Sequence, residues 1–91
     1  MNIEKIKSII EAILFSAGRI VQLNELILVL EQNEDDIVKI IKQMQDEYKV
    51  SNRGIEIIKV ENGYQLATKK DLYEYIYPIL DKRTKPNLSN A

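Results

Sequence analysis

Neither cysteine nor histidine occurs among the 91 residues of this chain. The first absence removes thiol nucleophiles, disulfides and thiolate zinc sites; the second removes imidazole acid–base catalysis and a side-chain switch near neutral pH. Metal or proton-transfer chemistry would therefore rest on carboxylates alone. No GxGxxG or GxxxxGK[ST] run offers a phosphate cradle. Long apolar runs are missing as well: Met1-Asn2-Ile3-Glu4-Lys5 carries acid and base from the start, so neither a signal peptide nor a membrane span is expected. A cysteine-free chain of this kind fits a reducing compartment. The expectation is a cytoplasmic protein with no metal and no cofactor.

What is present reads as one small domain. Hydrophobic residues make up 45% and charged residues 30% of the chain, ordinary for a soluble globular protein whose modest core gains from a partner. The formal charge of −1 is unevenly spread: residues 1–68 hold eight basic and eleven acidic side chains, residues 69–91 five and three. The body is mildly acidic and the tail mildly basic.

Ile3, Ile6, Ile10, Ile13, Leu14 and Ala17 recur at helical spacing, with Ile9 at the edge of the stripe, which predicts a helix from Ile3 to Ala17 ended by Gly18. Phe15 falls on the polar side of that helix, either packed under a loop or available for contact. Arg19 to Leu23 reads as a short extended link. Asn24 is the expected cap of a second helix that carries Leu26, Ile27, Val29 and Leu30. Asn33 caps a third helix, and Glu34, Asp35 and Asp36 in its first turn suit the positive end of the helix dipole. Ile37, Ile40, Ile41, Met44 and Tyr48 form the buried face of that helix, with Asp35, Lys39, Lys42, Gln43 and Asp46 opposite.

Gly54 to Thr68, GIEIIKVENGYQLAT, has the pattern of a β-hairpin. A three-residue loop of Glu61, Asn62 and Gly63, with glycine in the left-handed position, would face Val60 with Tyr64 and Ile58 with Leu66 while Lys59 and Gln65 point to water. A fourth helix follows from Lys69 to Leu80, with a boundary near Asp71. Its apolar arc exceeds half the circumference: Leu72, Tyr75, Ile76, Ile79 and Leu80 on one side, and Tyr73 with Tyr77 as a second stripe. Pro78 should bend or end it nearby. Residues 81–91, DKRTKPNLSNA, are polar and read as a linker or chain end.

Helix, short strand, helix, helix, hairpin, helix is the order of a winged helix with an added C-terminal helix, an α+β fold that is mainly α. Its usual function is DNA binding through the third helix and the wing. The charges disagree. Three acids stand at the end of helix three that would enter the groove, its exposed face balances two lysines against two aspartates, and the wing offers Arg53 and Lys59 against Glu56 and Glu61. The basic tail residues Lys82, Arg83 and Lys85 belong to a solvated linker, with weak, salt-sensitive nucleic-acid contact as the alternative.

The runs IIEAILFSAGRIVQLNEL and GIEIIKVENGYQLATKKDLYEYI, at this spacing, resemble the N-terminal winged helix of the segregation and condensation protein B family, ScpB, over residues 3–90. The resemblance implies a non-enzymatic scaffold subunit of the bacterial SMC–kleisin complex, cytoplasmic and nucleoid-associated, that serves chromosome condensation and segregation. Residues 1–80 would be the homodimerisation domain. Residues 81–91 would lead towards a second winged helix, which in that family is the usual grip on the kleisin subunit ScpA. Candidate dimer contacts are Phe15, Tyr73, Tyr77 and Leu80, with the tyrosine pair alternatively covering the hairpin edge within one protomer. No specific DNA binding and no membrane contact are expected. A winged-helix DNA-binding transcriptional regulator is the alternative.

Overall fold

Asn2 accepts a hydrogen bond from the backbone N–H of Lys5 at 2.8 Å, and Gly18, at φ 61°, closes the other end, so helix α1 spans Ile3–Ala17 between two local signals. The computed structural model describes residues 1–80. After α1 come strand β1 (Val21–Gln22), α2 (Leu23–Leu30), α3 (Glu34–Val50), β2 (Ile55–Val60), β3 (Gly63–Thr68), a 3-10 turn (Lys70–Leu72) and α4 (Tyr73–Leu80). The element order matches the sequence expectation. Three helices and a small antiparallel sheet, ordered β1-β3-β2, form a winged helix.

The third helix begins as expected: the Asn33 side chain accepts from the Asp36 N–H at 2.9 Å. The second does not. Its cap is Gln22 rather than Asn24, because β1 pairing holds the chain extended up to Gln22, and the Leu23 N–H donates to the Asn62 carbonyl at 2.9 Å. Glu25 then reaches back to accept the Gln22 N–H at 2.8 Å and forms a two-pronged pair with Arg19 at 2.9 and 3.1 Å. The Arg19 guanidinium, and after it the Gln22 N–H, lowers the Glu25 carboxyl to about 2.

Ile10, Leu14, Leu26, Ile37 and Ile41 are fully buried at the centre of the core, each worth about 2 kcal/mol of apolar transfer. Ile40, Met44 and Tyr48 extend it along α3, as the helical spacing requires, and Val21, Ile57 and Tyr64 close it from the sheet. Ile3, expected on the buried stripe of α1, is half exposed at the helix start, where no element lies opposite it in the core cluster.

The hairpin register is corrected by one residue. Val60 pairs with Gly63, Lys59 with Tyr64, Ile58 with Gln65 and Ile57 with Leu66, around a two-residue loop of Glu61 and Asn62. Glu61 takes the left-handed position, at φ 54°, and Gly63 does not. The reason is β1. A Cβ at Gly63 would come within 2.5 Å of the Ile20 side chain and 2.9 Å of the Val21 carbonyl oxygen, so the glycine is needed as a strand residue where two backbones meet. An odd shift turns a strand over. Ile57 and Tyr64 therefore face the core, with Ile55 and Leu66 packed beside them, while Ile58, Val60 and Ala67 lie half exposed on the outer face.

The C-terminal end of α3 is tied to the strand ends. The Lys69 ammonium donates to the carbonyls of Tyr48 at 2.8 Å and Ser51 at 3.1 Å, and the Lys69 N–H donates to Gly54 at 2.9 Å. A 3-10 turn, rather than the first turn of a continuous helix, follows this anchor. Leu72 then rests against Gly54, 3.3 Å from where a Cβ would stand. Pro78 lies inside α4, and the helix runs two residues past it to Leu80.

Candidate interaction surface

An eight-residue helix is marginal in water unless tertiary packing supports it, yet α4 contains no buried residue. Leu72, Tyr73 and Ile76 are half buried on the side facing the turn, and the Tyr73 and Tyr77 rings lie 5.4 Å apart at a tilt of 37°. The other side is bare. Tyr75, Ile79 and Leu80 are 68, 69 and 70% exposed, and Tyr77 is 56% exposed. Four large apolar side chains on two turns of helix exceed the scattered apolar surface of an ordinary monomer.

Of the residues singled out from the sequence, Phe15 is 79% exposed on α1. Tyr73 and Tyr77 touch one another, and Leu80 is exposed at the end of the described chain. The principal packing of α4 is against the 3-10 turn and that of α1 against α3 and β3, so Phe15 and the tyrosine pair are not packed into one cluster. Lys82, Arg83 and Lys85 lie outside the described residues. Sequence reasoning placed Tyr75 and Ile79 on the broad arc without singling them out as contacts. It also passed over Leu28, which with Val29 stands 78 and 62% exposed on α2. The available signal was that α2, LNELILVL, is apolar around most of its circumference, more than one core can cover.

The face that would meet DNA is electrically mixed. Glu34, Asp35, Lys39, Lys59 and Asn62 line a single surface cleft between α3 and the wing, and one turn further along α3 Lys42 is bound to Asp46 at 3.1 Å. Phosphates need unopposed cations. Here each lysine has a carboxylate beside it.

A second cleft, about 230 Å³, lies between α1 and the end of α3 and holds the densest polar cluster. Tyr48 donates its hydroxyl hydrogen bond to Glu11, and Arg53 stands over the Tyr48 ring at 5.6 Å and within 4.0 Å of Glu11. Burial, and then the Glu11 carboxylate, push the Tyr48 hydroxyl up to about 12. At neutral pH it is a donor and neither a base nor a nucleophile. Lys7 is held by Glu47 at 2.7 Å and Glu4 at 3.6 Å, and its amine is raised above the ordinary value chiefly by the bond to Glu47. These groups satisfy one another and bind α1 to α3. Among the described residues no group of three or more acidic side chains is placed to hold a metal ion. Nor is any described helix long and apolar enough to cross a membrane.

The sequence pattern described as segregation and condensation complex subunit ScpB matches residues 8–91. Segregation and condensation protein B of Clostridioides difficile strain 630 is 40% identical over 93 residues, which cover all of this chain and 52% of that protein. The protein of the same name from Lachnoclostridium phytofermentans is 42% identical over 79 residues, covering 87% of this chain and 42% of that one. This chain thus spans about half the length of the relatives it matches. Among solved structures, a crystal structure of the dimer of an ScpB N-terminal domain complexed with ScpA peptide superposes with a TM-score of 0.80 at 30% identity, covering 86% of this chain and 98% of that one. ScpB from Mycobacterium tuberculosis shares the fold, with a TM-score of 0.84 at 20% identity over 92% of this chain and 52% of that one. With the family pattern running from residue 8 to residue 91 on a winged helix of the same shape, the chain belongs to the ScpB family of segregation and condensation complex subunits.

Proposed function

We propose that this chain is the homodimerisation module of a non-enzymatic scaffold subunit in a bacterial SMC–kleisin complex, acting in chromosome condensation and segregation. The observation that carries the reading is α4, a helix with no buried residue and four exposed large apolar ones. A surface of that kind is stabilised by a protein partner, and tyrosine is a typical anchor at such contacts. The dimer and the ScpA peptide in the similar N-terminal domain structure support both halves of the proposal, self-association and kleisin contact. In this reading residues 1–80 form the dimer through Phe15, Tyr73, Tyr77 and Leu80 together with Tyr75 and Ile79. Residues 81–91 are the linker. The protein works in the cytoplasm at the nucleoid, reaching DNA through its partners; its own contact with nucleic acid is limited to salt-sensitive attraction at Lys82, Arg83 and Lys85.

Light scattering on a size-exclusion column tests the proposal. A mass of twice 10.6 kDa is expected at tens of micromolar, and a strictly monomeric mass would contradict it. Fluorescence anisotropy with duplex DNA completes the test. Tight, sequence-selective binding that survives about 150 mM salt, in a chain ending at Leu80, would point instead to a regulator that reads DNA.

A further inference from the structure

Besides α4, one other apolar face stands without cover. Ile9, Ala12, Ile13, Ser16 and Ala17 line a shallow trough on α1 that contains no charged residue. Their spacing of three and four places them on one face of the helix. Ile9, Ile13 and Ala17 turn their inner sides to the core, while Ala12 and Ser16 are small and exposed. Small residues at the crest of a helix allow a second helix to approach to about 8 Å.

We propose that the trough on α1 receives α4 of a second copy of this chain, and that the exchange is reciprocal. This rests on the dimer reading above and says which surfaces meet. A reciprocal exchange covers both bare faces twice in one closed two-fold contact, whereas burying α4 against α4 alone would leave the α1 trough open. Charge supports the same partner. Glu74 is the single charged residue of α4, and Lys5 lies one turn before Ile9 at the end of the α1 stripe. Neither is in an ion pair among the described residues. With the two helices parallel and Glu74 beside Lys5, a rise of about 1.5 Å per residue brings Leu80 to within one residue of Ala12, where the trough is shallowest in side chain.

The chain has no cysteine, so introduced thiols report without background. The full 91-residue chain carrying Ala12→Cys is mixed with a differently tagged chain carrying Ile79→Cys, subunits are allowed to exchange, and a short bismaleimide is added. Both positions are exposed, so neither change disturbs the core. The expected result is a heterotypic adduct at least about tenfold more abundant than either homotypic adduct, a ratio equivalent to about 1.4 kcal/mol. A dimeric mass without heterotypic excess would overturn this inference and leave the dimer standing. A monomeric mass would remove both. An Ala12→Cys thiol that stays fully reactive in the dimer and is shielded only on adding a kleisin segment would assign the trough to that segment, which also overturns the exchange.

Discussion

Replacing Gly63 with valine is expected to lower the stability of the fold by about 3 kcal/mol, a loss of more than about 10 °C in melting temperature for a domain of this size. The cause is one contact. The Cβ would sit 2.9 Å from the Val21 carbonyl oxygen, a backbone atom that cannot move aside without breaking the β1–β3 pairing at Gln22 and Val21. Gly18→Ala provides the comparison, because nothing lies within 4 Å of its Cβ and only its positive φ is strained. That change should cost about 1 kcal/mol. Thermal melts followed by circular dichroism compare the two. Equal, small losses at both positions would mean that β1 does not press on the hairpin.

The second large effect belongs to α4. Tyr75→Glu combined with Ile79→Glu should reduce self-association by a factor of about 100 or more, because two charges would have to be desolvated in an apolar contact. Both side chains are exposed within the protomer, so helical circular dichroism should be preserved. Sedimentation velocity across a dilution series reads the dimer constant. An unchanged constant would move the contact away from this stripe, and collapse of the helical signal would show that the two side chains belong to the protomer's own core. The pair Tyr73→Glu and Tyr77→Glu is less clean, since Tyr73 is half buried and its ring packs on Tyr77.

Features fixed by nearby residues were legible in the sequence. The 3.6-residue spacing of Ile6, Ile10 and Leu14, and of Ile37, Ile41, Met44 and Tyr48, marks the buried faces of α1 and α3 correctly. Asn33 and Gly18 announce a start and a stop because each acts on backbone groups within its own turn. Features fixed across the fold were not legible. The role of Gly63 is set by β1, some forty residues earlier in the chain, and the local turn pattern around Asn62-Gly63 gives no sign of that approach. Moving glycine into the strand left Glu61 to adopt the left-handed conformation and turned Ile58 and Val60 outward.

The candidate surface divides in the same way. A broad apolar arc on α4 could be read from the wheel, but which part faces inward depends on Lys69 gripping the end of α3 and on Leu72 meeting Gly54. Those two anchors turn Leu72, Tyr73 and Ile76 towards the turn and leave Tyr75 and Ile79 bare. Asn24 had the chemistry of a helix cap. It lost the position because the wing holds Gln22 and Leu23 from the side.

The claim at the centre of this account is that α4 is covered by another copy of the chain and by nothing in its own protomer. Amide hydrogen exchange measured over a range of protein concentrations tests it most directly. At high concentration the amides of Tyr75, Ile76, Tyr77, Ile79 and Leu80 should be protected, Pro78 having none, and on dilution that protection should fall away while the amides of Ile40 and Ile41 in α3 keep theirs. Protection of α4 that is unchanged across the dilution series, whether full or absent, would contradict the account.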